Sequence, residues 1–348
     1  MDPLGNFILP TRFVKIIGEI DEFKGRWAAL GNLAPERLSA LRRIATIESV
    51  GSSTRIEGVK LTDDQIERLL SGVRMTSFQS RDEEEVIGYA DLLEMIYESY
   101  PEIILTENTI LQLHSILLKH SAKDQRHRGA WKTLPNRVEA FDENGHSIGV
   151  IFETATPFDT PRLMNELVTW TTKAIRSGEF HVLLIIAVFI VRFLAIHPFQ
   201  DGNGRLSRAL TTLLLLRAGY EYVPYSSLER IVEDNKEEYY KTLRRAQTTL
   251  DHDEAQLIDW IEFFLLVLLQ QKQVLERKIE NENLIAPLAP LSEKLLAIVR
   301  GYGRITVREA TALTGANRNT IKDHLIRLVE AGHLARKGQG RGSWYKKI

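Results

Sequence analysis

The chain has 348 residues, the length of two or three ordinary domains at about 150 residues each. With 44% hydrophobic and 26% charged residues it lies far from disordered or collagen-like composition. The absence of cysteine excludes disulfides, thiolate metal sites and cysteine nucleophiles. The net charge of -1 hides an asymmetry: residues 288–348 hold 12 Lys and Arg against 4 Asp and Glu, leaving 33 against 42 in the rest. A basic tail on an acidic body points to a nucleic-acid-facing module attached to something else.

Residues 1–10 carry Asp2 and no basic stretch ahead of a long apolar run, so the start does not read as a secretory signal and a cytoplasmic location is expected. Amphipathic helical periods follow over 38–49, over 62–70 with Thr62 and Asp63 as caps, over 84–98, and over 108–120, where Ile110, Leu113 and Leu117 share a face. Two β-like runs, 138–142 and 147–152, flank Glu143-Asn144-Gly145, and Asn-Gly supplies the positive φ angles of a tight hairpin. After Pro157 and Pro161 comes a helix over 162–176 and then the most apolar stretch, 182–196. The latter falls short of the roughly 18 residues a membrane span needs and contains Arg192. It reads as a helix buried on nearly all faces, and no membrane association is expected. Helices over 206–218, 236–249 and 257–279 complete a helical body. Pro287 and Pro290 mark a linker at 281–290. The tail predicts helices at 291–299, 306–314 and 317–331, with a turn at Gly315, and a two-stranded wing over 333–347. No internal repeat occurs.

The buried helix runs directly into His197-Pro198-Phe199-Gln200-Asp201-Gly202-Asn203-Gly204-Arg205-Leu206-Ser207-Arg208. Glycines let backbone N–H groups converge on phosphate oxygens, and a following helix adds its positive N-terminal end. Arg205 and Arg208, three apart, can hold phosphates bidentately. Asp201, the lone carboxylate in this loop, is a hard oxygen ligand suited to Mg²⁺ beside phosphates. His197, with an ordinary pKa near 6.5, can accept a hydroxyl proton at neutral pH. Pro198 and Phe199 are expected to point into the core and fix the loop. Taken singly, each element describes an ordinary helix terminator or cap; their conjunction within twelve residues does not. No His or carboxylate spacing suggests a Zn²⁺ site around His197.

These residues match the pattern H-x-F-x-[D/E]-G-N-G-R-x-x-R, and on them the chain resembles the Fic family over roughly residues 40–270. The resemblance implies that His197 deprotonates a target side chain and that Asp201 holds Mg²⁺. It further implies that Gly202, Asn203 and Gly204 cradle phosphates while Arg205 and Arg208 secure the β- and γ-phosphates of ATP. It makes the hairpin a flap whose edge, near Ser147 to Phe152, registers a target peptide by strand addition. It places the adenine pocket at Tyr239, Tyr240 and Gln247, where helical spacing equally allows core residues. Upstream, Ser53-Thr54-Arg55-Ile56-Glu57-Gly58 is similar to the family's inhibitory pattern [S/T]-x-x-x-E-[G/N]. There Glu57 would pair with Arg208 and Gly58 would end the helix.

The fold expected is therefore mainly α: a Fic-type helical core with a β-hairpin flap, plus a small C-terminal winged-helix domain. Residues 1–85 would carry the inhibitory motif, 86–280 the catalytic core, 281–290 the linker and 291–348 the winged helix-turn-helix. In that last domain Arg318, Asn319 and Lys322 would face a DNA groove, with Lys337 and Arg341 on phosphates; docking to protein is the other use of such modules. The implied function is an autoinhibited protein adenylyltransferase that moves AMP from ATP to a Ser, Thr or Tyr hydroxyl of a target protein, releasing pyrophosphate. The alternatives are a DNA-binding regulator using the Fic portion as a nucleotide sensor, and an enzyme that uses another nucleotide or removes AMP. A second copy of the chain, in a homodimer, is a further partner to expect.

Overall fold

Long helical periods interrupted by Gly, Pro and Asn stops give a chain that is mostly helix, with two small antiparallel sheets among the described residues. The structure, a computed structural model, describes residues 4–5, 7–29, 35–71, 78, 80–141, 147–250, 254–284, 290–330, 334–338 and 343–347. Packing divides the chain into two units, residues 1–275 and 276–348.

The first unit opens with α1 (Thr11–Ala29) and α2 (Pro35–Ile56), followed by α3 (Asp63–Ser71), α4 (Arg81–Ser99) and α5 (Glu107–Leu117). The hairpin of β1 (Arg137–Phe141) and β2 (Ser147–Glu153) comes next. Then follow α6 (Thr160–Ser177), α7 (Val182–Ile196), α8 (Asn203–Arg217), α9 (Leu228–Asp234), α10 (Lys236–Thr249) and α11 (Glu254–Leu284), whose residues from Glu276 on belong to the second unit. At the centre, α7 packs against α6, α8 and α10. His181 caps it by accepting the Leu183 N–H. Its apolar residues are buried all round, and the Trp260 indole donates to the Ala187 carbonyl at 2.8 Å. Each such buried side chain contributes about 1.5–3 kcal/mol. Because α8 is buried on as many sides as α7, the loop joining them, 197–202, is held inside the unit.

Several boundaries differ from the sequence expectation. The amphipathic period of α1, with Phe13, Ile17, Ile20 and Phe23 buried, went unread. Helix α2 runs on past residue 49 to Ile56; the poor helix formers Ser52, Ser53 and Thr54 are fully buried there, so packing overrides propensity. α8 begins at Asn203 instead of 206. β1 pairs with β2 from Arg137↔Glu153 to Phe141↔Ser147 with two register shifts. The expected turn at Glu143-Asn144-Gly145 lies outside the described residues.

In the second unit α12 (Pro290–Tyr302), β3 (Arg304–Thr306), α13 (Val307–Thr314), α14 (Arg318–Glu330), β4 (Leu334–Lys337) and β5 (Trp344–Lys347) surround their own core, which includes Leu295, Val299, Ile321, Leu325, Leu328 and Tyr345. Residues 281–284, expected as linker, are the last turn of α11, and Pro290 opens α12, a first helical position where the missing N–H costs nothing. Thr306 and Glu309 form a capping box at α13. The sheet has three strands in the order β3-β5-β4, not the two expected of a wing, because 304–306 pairs with β5. Arg341 lies outside the described residues. Among the described residues no helix is long and apolar enough to cross a membrane.

Candidate active site

His197 ends α7 in the left-handed region at φ 52° and is the one non-glycine residue with positive φ among those described. Such a conformation persists only where its surroundings over-determine it. Phe199 supplies much of that: it is fully buried and stacks on His114 of α5, with centroids 3.7 Å apart. Asn203 staples the loop by accepting the Phe199 N–H at 2.9 Å and donating to the Phe199 carbonyl at 2.7 Å. Its side chain is thus spent inside the loop. Gly202 sits at φ 81°, and a Cβ there would lie 3.1 Å from Leu117 Cδ2, so the turn requires glycine.

His114 fixes the other end. Gly129 N–H donates to its Nδ1 at 3.0 Å, so Nε2 carries the proton and donates to the Asp201 carbonyl, also at 3.0 Å. Burial holds His114 down to about 4, a permanently neutral hinge pin for the loop.

The His197 ring is oriented by the same logic. Nδ1 lies 3.3 Å from the Leu194 carbonyl, which can only accept, so the proton resides on Nδ1 and the Nε2 lone pair is available. Burial lowers the His197 pKa to about 4; the bond to Leu194 and the carboxylates of Glu57 and Asp201 oppose that, and the charge of Lys132 assists it. At neutral pH the ring is uncharged, with the Nε2 lone pair as its basic site.

Around this base three guanidinium groups meet three carboxylates. Asp201 Oδ1 accepts from Gly202 N at 2.6 Å and from Arg205 Nη2 at 3.2 Å, and Oδ2 lies 2.7 Å from Arg81 Nη2. Burial raises the Asp201 pKa, but Arg205, the Gly202 N–H and Arg81 outweigh it and the net shift is downward. Arg205, 3% exposed, also pairs with Glu85 at 2.9 Å, while its buried Nε has no hydrogen-bond partner. Arg208, 6% exposed, donates to Ser53 Oγ at 2.8 Å, to the Ser53 carbonyl at 2.9 Å and to Glu57 Oε1 at 2.8 Å. Desolvation works against the charge, yet the Glu57 carboxylate, on a side chain still 33% exposed, is held below the ordinary carboxylate range by Arg208 first, then Arg205 and His197. Gly58 follows at φ 104° and closes the helix end.

The placement of Glu57 is the sharpest observation in the site. A Cβ on Gly204 would lie 2.1 Å from Glu57 Oε1 and 2.9 Å from Cδ. The carboxylate therefore rests on the bare backbone of the first turn of α8, where an anion gains most from the helix N-terminus. That cradle, together with the unpartnered Arg205 Nε, has the chemistry for a phosphate. Asp201 fits Mg²⁺ in the way nucleotide sites use it, one protein carboxylate completed by phosphate oxygens and water. Among the described residues no cluster of three His, Asp or Glu offers an all-protein metal site.

Tyr239 and Tyr240 lie on α10. Tyr239 is buried with its ring 5.2 Å from Tyr240 and 5.9 Å from Trp260, and Arg208 acts on its hydroxyl. Tyr240 lines a cavity of about 700 Å³ together with Glu233, Asn235 and Lys236. Gln247, two turns further on, is buried. Sequence reading missed Arg81, Glu85, His114, Lys132, Asn136 and Thr154. Of these only His114, a lone histidine on the apolar face of its helix, carried a readable signal.

Residues 104–215 match the model of the Fic/DOC family. The chain is 31% identical over 216 residues to the "Protein adenylyltransferase Fic" of Drosophila mojavensis, covering 61% of this chain and 39% of that protein. It thus spans about two fifths of the curated relatives it matches. Among solved structures it resembles a Fic domain containing signaling protein from Bacteroides thetaiotaomicron VPI-5482, with TM-score 0.61 and 26% identity over 74% of this chain and 95% of that one. It also shares its fold with a Fic family protein from Desulfovibrio desulfuricans G20, with TM-score 0.69 and 23% identity over 98% of this chain and 97% of that one.

Proposed function

We propose that the chain is a protein adenylyltransferase held at rest by its own Glu57. A target Ser, Thr or Tyr hydroxyl gives its proton to His197 Nε2 as its oxygen bonds to the α-phosphorus of ATP. The bond from that phosphorus to the bridging oxygen breaks, and pyrophosphate leaves. Arg205, Arg208 and the N–H groups at the start of α8 balance the phosphate charge, so catalysis is mainly positioning and charge stabilisation. Asp201 would hold a magnesium ion, which would supply further charge neutralisation. Tyr240 and the cavity beside it are the place for the base, and the edge of β2 is the place for the target segment.

The observation that carries this reading is Glu57 lying on Gly204 while paired with Arg208. A carboxylate occupies the anion cradle and one of its two arginines, leaving a γ-phosphate both displaced and repelled. The test uses labelled ATP, GTP, UTP and CTP with the Glu57→Gly protein in lysate, followed by mapping of labelled peptides. AMP on hydroxyl side chains, lost in Glu57→Gly/His197→Ala, is expected. Label from another nucleotide would reassign the substrate. No label from any, with AMP removed from a modified protein, would reverse the direction of the reaction.

A second reading concerns residues 276–348, whose helix and strand order suits a winged helix. Arg318, Asn319, Lys322 and Arg327 are exposed along α14, the arrangement of a helix that meets nucleic acid. Salt-dependent binding of duplex DNA by the full chain, weakened in Arg318→Ala/Lys322→Ala, would establish it.

A further inference from the structure

A polar cluster of Lys132, Asn136 and Thr154 joins the His197 loop to the two ends of the hairpin. Lys132 is 2% exposed, yet it carries an ammonium group among neutral acceptors. Its Nζ donates to Asn136 Oδ1 at 2.8 Å, Thr154 Oγ1 at 2.9 Å and the Ile196 carbonyl at 3.0 Å. All three ammonium protons are thereby used. Ile196 is the last residue of α7, so its carbonyl is one of the unpaired acceptors at the negative end of the helix. That explains why a buried cation is tolerated there, though burial pulls its pKa down to about 8.

The contacts form a series. The Ile196 carbonyl takes Lys132 Nζ; the His197 carbonyl takes Asn136 Nδ2 at 3.3 Å; the Pro198 carbonyl takes the Lys132 backbone N–H at 2.8 Å; the Phe199 carbonyl takes Asn136 Nδ2 at 2.7 Å. Four consecutive carbonyls around His197 are gripped by two residues of one short strap. The same strap leads into the hairpin, since Asn136 immediately precedes β1. Thr154 immediately follows β2. Its hydroxyl lies 2.9 Å from the Asn136 carbonyl and 2.5 Å from Asn136 Oδ1, to which it can donate its one proton, while its oxygen accepts from Lys132 Nζ. The amide of Asn136 has no freedom to flip, because Oδ1 faces two donors and Nδ2 faces two carbonyls.

We propose that Lys132, Asn136 and Thr154 are positioning residues that clamp both ends of the hairpin to the His197 loop, so that the edge receiving a target segment and the base receiving its proton form one rigid unit. This rests on the reading of the chain as a transferase that docks its target on the hairpin. It goes beyond that reading by assigning these three residues to the transfer step and not to nucleotide binding, which that reading gives to Arg205, Arg208 and the start of α8. A misplacement of about 1 Å between nucleophile and base is enough to cost two orders of magnitude.

The test compares Asn136→Asp, which keeps shape and removes the Nδ2 donor, with Thr154→Val, which keeps shape and removes the hydroxyl, and with Thr154→Ser, which restores it. All are made in full-length Glu57→Gly protein. Hydrogen exchange reads the clamp without any activity: in Asn136→Asp and Thr154→Val, protection of β1, β2 and residues 196–203 should fall together, and Thr154→Ser should match the parent. Loosening of the hairpin with an unchanged loop, or the reverse, overturns the clamp. For the assigned role, ATP affinity should stay within about twofold of the parent while kcat for AMP transfer drops at least tenfold, with rescue in Thr154→Ser. Equal losses of ATP affinity and kcat would reduce the cluster to a fold-stabilising one, and parental kcat would remove it from the reaction. A parent that transfers no nucleotide would sink the transferase reading alone, and the exchange data would still decide the clamp.

Discussion

The chemistry of His197 depends on which charges face it. Lys132 holds its pKa down, Glu57 and Asp201 push it up, and burial dominates, leaving it near 4. In the proposed mechanism the neutral ring is the base, so the acid limb of kcat/KM, which reports the free enzyme, should lie well below the ordinary 6.5. Removing a cation lets the imidazolium form more readily, so Lys132→Met should move that limb upward. A pH profile of AMP transfer in the Glu57→Gly background checks both, and a limb at or above 6.5 in the parent contradicts them. The twelve residues from His197 to Arg208 were legible because they are contiguous, and Glu57 because its motif has fixed internal spacing. Glu85, Arg81 and the Lys132 cluster were not. Each is an ordinary polar residue whose role exists only once α4, the strap after α5 and the end of α7 come together. Asn203 shows the reverse case: its place in the motif suggests a phosphate contact, yet its amide is consumed by Phe199.

At the scale of elements, Glu57 is only as well placed as the end of α2. Arg55, two residues earlier, makes two hydrogen bonds to Glu233 of α9 at 2.7 and 3.0 Å and one to Asp63 of α3 at 2.9 Å; Asp63 also pairs with Arg230. Lys236 donates to the Ile56 carbonyl at 2.9 Å, closing the helix end. Hydrogen bonds to charged groups contribute about 1.5–3 kcal/mol when shielded from water, and Arg55 and Glu233 keep only 19% and 21% of their side chains exposed. Glu233→Gln should therefore loosen the end of α2 and raise basal AMP transfer severalfold, less than Glu57→Gly does. An unchanged basal rate would show that packing alone seats Glu57. Periodicity located α7 to the residue, since a run of Leu, Ile, Val and Phe bounded by His181 and His197 has one reading. It missed α1, whose apolar spacing is regular but diluted by charges, and it ended α2 early because Gly51 to Thr54 form helix only when buried against neighbours.

For the molecule as a whole, the mainly helical fold was legible from the balance of helical periods over strands, and the third strand of the tail was not, because three residues carry no period. Residues 276–348 bury their own core, so damage there should remain local. Leu325→Ala removes a fully buried side chain and should cost about 2–5 kcal/mol. Calorimetry should show a lowered transition for that unit while AMP transfer by Glu57→Gly protein is unaffected; a shift of one common transition would mean that the chain unfolds as a single unit. The proposed function puts the transfer site in the acidic body and has its resting state set by a single carboxylate, Glu57 on Gly204. The most direct test of that claim is the initial rate of AMP transfer from ATP by three full-length proteins: the unaltered chain, Glu57→Gly, and Glu57→Gly/Arg208→Ala. The expected result is a rise of at least tenfold on removing Glu57 and its loss on removing Arg208 as well; equal rates for the first two proteins would contradict the account.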